Sequence, residues 1–249
     1  MFIDTHCHLD FDIFNHDRDK LINQAKENDI THFINPSVSK NNWHNVLALS
    51  KEYNNIIPVL GMHPCFIKEH HPSDLNELET QLSKNKIKLL GEIGLDKRIN
   101  QFEEQLFYFS EQLSIAKKLN LPVIIHSVKA HSEVIHQIKS LNFTLGGIIH
   151  AFNGSIEIAK TYIDLGFKLG IGSILTYPKN KLTKIINTLP LSSFVLETDS
   201  PDMLPYNYKN NRNTPLSILI IFDLLCQNRN ESKLEIKYNL WHNSCLFFD

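Results

Sequence analysis

The chain has 249 residues, 42% of them hydrophobic and 21% charged, which is enough apolar material for one large α/β domain or two small ones. No stretch reaches about eighteen uncharged apolar residues, so a membrane-spanning helix is excluded. Net charge is −2 and no run of five basic residues occurs; a broad grip on duplex phosphates is excluded, whereas a small local phosphate site is not.

The first predicted element is a strand at residues 1–6, whose start Met1-Phe2-Ile3-Asp4-Thr5-His6 has no basic run leading into an apolar segment; a cytoplasmic protein is the expectation. Further strands are predicted at 32–36, 56–60, 87–93, 122–126, 147–151, 167–171 and 193–196. Each is continuously apolar rather than alternating, as in a parallel sheet covered by helices on both faces. Helices are predicted to begin near Asp17, Ser39, Ser73, Lys129, Ser155 and Pro178, with Ser39 and Ser155 as N-caps. The clearest spans 101–119, where Phe102, Leu106, Phe109, Leu113 and Ala116 share one face. The tail from 215 to 248 reads as helices opened by Thr214-Pro215. Strands alternating with helices over this length predict a single TIM-type (β/α)8 barrel domain, 1–249, with C-terminal helices. A doubly wound open sheet is the structural competitor. Cys7, Cys65, Cys226 and Cys245 contain no C-x-x-C pair, which argues against disulfides and a thiolate zinc site and for buried free thiols.

The strongest local chemical signal is His6-Cys7-His8 at the end of the first strand. Residues two apart in a strand point to the same face, so both imidazoles can reach one metal while Cys7 faces the helices. Glu92, His126, His150 and Asp199 each fall at the C-terminal end of another predicted strand, the end from which barrel active sites are assembled. Gly91 and Gly94 flank Glu92 and allow close backbone approach. Histidines and carboxylates without thiolates suit Mg²⁺, Mn²⁺ or Zn²⁺ in a hydrolytic site.

Phe2-Ile3-Asp4-Thr5-His6-Cys7-His8-Leu9-Asp10, Gly61-Met62-His63-Pro64 and Gly91-Glu92-Ile93-Gly94-Leu95-Asp96 then fall into place with Leu121-Pro122-Val123-Ile124-Ile125-His126, His150-Ala151-Phe152-Asn153-Gly154-Ser155 and Leu196-Glu197-Thr198-Asp199-Ser200-Pro201. In that order they resemble the TatD family of metal-dependent deoxyribonucleases, barrels of the amidohydrolase type. The resemblance implies two divalent metal ions, one held by His6, His8 and Asp199, the other by His126 and His150, with Glu92 bridging. It implies Asp199 and Glu92 as catalytic groups, single-stranded or frayed DNA as the substrate and a monomer in solution. Many members carry an arginine two residues after the strand-five histidine, where this chain has Val128; Lys129 or Arg212 could compensate.

On this reading Asp199 accepts the proton of the attacking water, and His63 hydrogen-bonds a substrate oxygen. Phe152, Tyr177 and Tyr206 fall in loops after strands, where rings can stack on bases. His131 lies near enough in sequence to line the site, whereas His70-His71 is read as an exposed loop. The same metals would polarise a carbonyl equally well, which makes an ester, amide or aminoacyl-tRNA hydrolase the nearest rival. A barrel that binds nucleic acid without turnover is the rival from another class.

Overall fold

The computed structural model describes residues 1–248. Eight parallel strands form two ladders: β1 (Phe2–Asp4), β2 (Ile30–Pro36) and β3 (Ile56–Val59) in one, and in the other β4 (Leu90–Asp96), β5 (Val123–Val128), β6 (Gly147–Ile149), β7 (Phe167–Ile171) and β8 (Phe194–Leu196). Backbone hydrogen bonds stitch the two seams. At one, Gly91 N–H donates to Leu60 C=O (2.9 Å); at the other, Thr5 N–H donates to Leu196 C=O (3.0 Å) and Asp199 N–H to His6 C=O (2.8 Å). Parallel bridges at Leu60–Leu90 and Cys7–Ser200 continue the ladder across those seams. The strands thus form a ring, the α/β barrel expected.

Helices α1 (Arg18–Glu27), α2 (Lys40–Glu52), α3 (Asp74–Lys84), α4 (Phe102–Leu119), α5 (His131–Ser140), α6 (Ile156–Asp164) and α7 (Leu182–Thr188) follow the first seven strands in turn, and α8 (Ile218–Gln227) and α9 (Lys233–Cys245) follow β8. Ser155 caps α6 by accepting the Ile158 N–H, and Ser39 forms a reciprocal capping box with Asn42 on α2, as their positions predicted. Helix α4 departs from a simple amphipathic pattern: Gln105 and Gln112 are buried on it. Among the described residues no helix is long and apolar enough to cross a membrane.

Inside the ring, Ile34, Val59, Leu89, Ile124, Ile148 and Val195 form one apolar cluster, and Phe247 packs against them from beyond α9. Phe248 lies over His32, near the start of β2, with ring centroids 5.6 Å apart. The chain's end therefore covers the face of the barrel away from the strand C-termini. Full burial of each such aliphatic side chain contributes roughly 1.5–3 kcal/mol. A second, larger cluster, including Phe33, Leu60, Phe109, Leu113 and Phe194, fills the layer between strands and helices.

Several strand ends differ from expectation. The fourth strand runs to Asp96 rather than ending at Ile93, because Leu95 pairs with Ser127 and Asp96 with Val128, so Glu92 sits nearer its start. The first and sixth are shorter than expected, ending at Asp4 and Ile149, and the fifth runs on to Val128. The eighth ends at Leu196 as expected, and Asp199 stands three residues beyond it.

Candidate metal centre

Local folding delivers each ligand-type side chain to the same end of the ring. His6 and His8 follow β1, in a segment whose backbone pairs with the stretch after β8: Asp199 N–H donates to His6 C=O, and His8 N–H to Ser200 C=O (2.7 Å). Between them Cys7 is fully buried in the outer apolar layer, as the alternation of a strand requires. Asp4 ties these two segments together, accepting from Thr198 Oγ (2.6 Å), Thr198 N–H (3.0 Å) and His6 N–H (3.3 Å). On the other side, Gly94 has φ +145° and pairs with His126; a Cβ there would sit 1.9 Å from the His126 carbonyl oxygen. Only glycine lets β4 and β5 approach so closely.

The two oxygens of Glu92 divide the histidines into two sets. Oε2 lies 3.1 Å from His6 Nε2 and 4.0 Å from His8 Nε2, whereas Oε1 lies 3.0 Å from His126 Nδ1 and 3.9 Å from His150 Nε2. Asp199 closes the arrangement, with Oδ1 3.5 Å from His6 and 3.6 Å from His8, and Oδ2 3.6 Å from His150. His6 Nε2 and His8 Nε2 face one another at 3.3 Å. Ring nitrogens aimed at each other and at shared carboxylate oxygens are the disposition of metal ligands. His6, His8 and Glu92, and likewise Glu92, His126 and His150, each bring donor atoms within 4.8 Å of one another. The donor set, imidazole nitrogen and carboxylate oxygen around one buried glutamate, fits a pair of divalent ions.

A second layer of acceptors orients the rings. His8 Nδ1 is 3.0 Å from the Pro36 carbonyl oxygen and His126 Nε2 is 3.2 Å from Asp96 Oδ2. His150 Nδ1 is 3.1 Å from Glu197 Oε1, a close ionic contact off the line of a good hydrogen bond. An acceptor behind a ring nitrogen fixes the tautomer and leaves the other nitrogen free to ligate. Sequence reading singled out the six residues that the fold brings together and missed this layer; the Leu95-Asp96 and Leu196-Glu197 ends of two quoted motifs were the available signal.

The electrostatics follow from carboxylates and imidazoles sharing a buried site. Burial alone would lower His8, but the hydrogen bond and charge of Asp199, with Glu92 and Asp10, raise it to about 9. His150 is likewise carried to about 10, burial being outweighed by Glu197, Asp199 and Glu92. Glu92, which burial alone would raise, is held well below the usual carboxylate range by His63, His6 and His150. His63 is pushed down to about 4 by burial, against the charge of Glu92. Its Nδ1 accepts the Cys65 N–H (3.1 Å), so the neutral ring carries its proton on Nε2, 3.2 Å from Glu92 Oε1.

Five of the six ligand-type residues, His8, Glu92, His126, His150 and Asp199, line a pocket of 230 Å³ together with Phe11, Val38, His63 and Phe66, while His6 is fully buried. No lysine or arginine is among its described lining residues. Arg212 does not reach it: the guanidinium pairs with Asp17 and lies 4.5 Å above the Phe14 ring. That commitment removes Arg212 as a substitute for the family's arginine, and neither Val128 nor Lys129 lines the pocket. Phe152 is fully buried against Tyr162 and cannot stack on a ligand, whereas Tyr177 and Tyr206 are exposed with centroids 5.6 Å apart. His131 turns to Ser127 Oγ (2.9 Å) and Tyr162 Oη (3.1 Å), away from the pocket. Of the thiols read as buried, Cys7 and Cys245 are; Cys226 is half-buried, and Cys65, on the loop after β3, is exposed and lines the pocket.

A family model described as TatD related DNase matches residues 3–249. An Escherichia coli protein, the uncharacterized metal-dependent hydrolase YjjV, is 36% identical over 253 residues, covering 100% of this chain and 98% of its own. The crystal structure of that TatD homologue superposes with a TM-score of 0.95 over 99% of this chain and 97% of the other. Human deoxyribonuclease TATDN3 is 30% identical, over 94% of this chain and 89% of its own.

Proposed function

The chain belongs to the TatD-related DNase family of metal-dependent hydrolases, and from that premise we propose that it cleaves phosphodiester bonds of single-stranded DNA using two divalent metal ions. The observation that carries this reading is the split of the histidines between the two oxygens of Glu92. In this reading His6, His8 and Asp199 hold one ion, His126 and His150 the other, and Glu92 bridges. The ions, Mg²⁺, Mn²⁺ or Zn²⁺, supply an acidified water and neutralise the charge on the scissile phosphate.

The protein's own groups do the rest. Asp199 is the ligand-set carboxylate with the more exposed side chain, 16% against 3% for Glu92, and so faces the pocket. Burial would raise it, but His150 and His8 keep its pKa below the usual value, so near neutrality it is an anion able to take a proton on Oδ. His63 presents a neutral Nε2–H, suited to donate to a non-bridging phosphate oxygen without adding a mobile proton. With no lysine or arginine in the pocket wall, recognition of phosphate falls to the ions, which is how a protein of net charge −2 can act on DNA. Phe11, Val38 and Phe66 give the pocket part of an apolar lining.

The test joins metal analysis of the purified protein to hydrolysis of end-labelled single strands and of an ester and amide panel. Release of labelled fragments, lost on chelation and restored by a divalent ion, is the expected result. Turnover of esters alone would overturn it. In parallel, Asp199→Asn is expected to lower kcat by at least about 10³-fold with the fold retained, counting loss of both a ligand and a proton acceptor; turnover retained in a metal-loaded Asp199→Asn protein would refute the assignment.

A further inference from the structure

Beside the metal-ligand pocket runs a second groove of 460 Å³, and the two share Phe11 and Asp202 as walls. Its volume is in the range of small-ligand sites. Phe11 rests on the His8 ring, centroids 4.8 Å apart and planes within 18°, so it stands as a partition between metal ligands and groove. The polar walls of the groove are Asp10, Asp12, Asp202, Asn42 and Asn45, three carboxylates and two amides with no lysine or arginine.

These polar groups are not equivalent. Asp10 is committed inside the fold, accepting from Asn35 Nδ2 (2.7 Å) and Asn42 Nδ2 (2.9 Å). Asp12 accepts from Asn15 Nδ2 (2.9 Å). Among the described residues the side chains of Asp202 and Asn45 have no hydrogen-bond or ionic partner. The groove therefore offers one aromatic surface, one free carboxylate and one free amide, all next to the place where a phosphate would be hydrolysed.

A phosphodiester backbone does not suit such walls, because three carboxylates without a counter-cation repel it. A flat, uncharged group with N–H donors on its edge does. Resting on the phosphodiesterase reading above, we propose that this groove is a base-binding subsite for the nucleotide on one side of the scissile phosphate, stacking the base on Phe11 and reading its amino edge with Asp202 and Asn45. Aspartate accepting from an exocyclic amine is a known form of base readout. Bases with an exocyclic amine are therefore preferred there to thymine, which has none.

The experiment compares kcat/KM on short single strands identical except for the terminal residue, which is dC, dT or abasic. The wild-type protein is expected to favour dC over the abasic terminus by roughly tenfold or more, the scale of one base–aromatic stack. It is expected to favour dC over dT by a smaller factor. Phe11→Leu keeps an apolar contact on His8 but removes the aromatic face, and should bring the dC-to-abasic ratio towards one. Asp202→Asn and Asn45→Ala should bring the dC-to-dT ratio towards one. Equal rates on all three termini overturn the subsite while leaving the phosphodiesterase reading standing. Failure to cut any strand overturns both.

Discussion

Gln112→Leu tests how helix α4 holds the catalytic end of the barrel. Gln112 is fully buried; its Oε1 accepts the Met62 N–H (2.8 Å), and its Nε2 donates to the Met62 C=O (3.1 Å) and the Tyr108 C=O (3.2 Å). Leucine matches its size and abolishes these bonds. The Tyr108 carbonyl sits inside α4 and keeps its helical partner, but the Met62 N–H and C=O are left buried and unpaired. Each such orphan costs about 1–3 kcal/mol, so the expected loss from the two is about 2–6 kcal/mol. For a chain of this size that corresponds to a fall in Tm of roughly 4–24 °C. The effect should not stop at stability, because His63 follows Met62 and faces Glu92 at 3.2 Å. Thermal unfolding of the metal-loaded protein measures the first part, and kcat at a temperature well below both transitions measures the second. A Tm within about 2 °C of wild type would refute the reasoning, for it would mean the loop after β3 finds its own partners without the helix.

His8 and His150, at about 9 and about 10, are both protonated at pH 7 in the metal-free protein, and an imidazole must be neutral to ligate. Metal binding should therefore release about two protons, with affinity rising up to about a hundredfold per pH unit below pH 9 and levelling off above 10; calorimetry in buffers of different ionisation enthalpy reads this directly, and an enthalpy independent of buffer contradicts it. The same raised values mean that the chelated protein holds their stabilising contribution below about pH 6.5 and loses it as pH climbs through 9 and 10, so its Tm should fall over that window. At Gly170 an added Cβ would lie 2.1 Å from Glu197 Oε2 and 2.6 Å from its Cδ; Gly170→Ala should displace Glu197 from His150 and weaken metal affinity by about 10–100-fold, the usual effect of losing an orienting partner. Equilibrium dialysis showing unchanged affinity would put Glu197 outside the ligand-orienting layer.

The ring of strands and all six ligand-type residues were legible because their signals are local. A strand's two-residue period places His6 and His8 together, and apolar runs mark where strands deliver His126 and His150. The fourth strand's end was misjudged because Leu95 and Asp96 pair with Ser127 and Val128, a register that apolar content does not report. Gln105 and Gln112 escaped for a related reason. On a helical wheel they are polar interruptions of an apolar face, and only the folded chain shows that they grip backbone: Gln105 Oε1 accepts the Asp96 N–H at 2.8 Å, and its Nε2 lies 3.2 Å from the Asp96 carbonyl oxygen. Arg212 was misplaced for the opposite reason, since a guanidinium in a loop after the last strand reads as available until Asp17 is seen beside it.

These particulars bear on why the pocket wall lacks cationic side chains. Three cations that the sequence places after the strands are engaged elsewhere: Arg98 grips Asp96, Lys97 pairs with Glu133, and Arg212 pairs with Asp17. Arg98 on Asp96 has a cost for the centre, because it competes for the carboxylate that orients His126. It also keeps Asp96 ionised: burial alone would raise it, but hydrogen bonds from His126 and Arg98 hold it far below the usual range. An ionised Asp96 accepts the His126 Nε2–H and leaves Nδ1 for Glu92's side of the site. Arg98 thus acts on a carboxylate behind the ligands rather than on substrate, and in the proposed reaction a phosphate's charge is left to the ions that those ligands would hold.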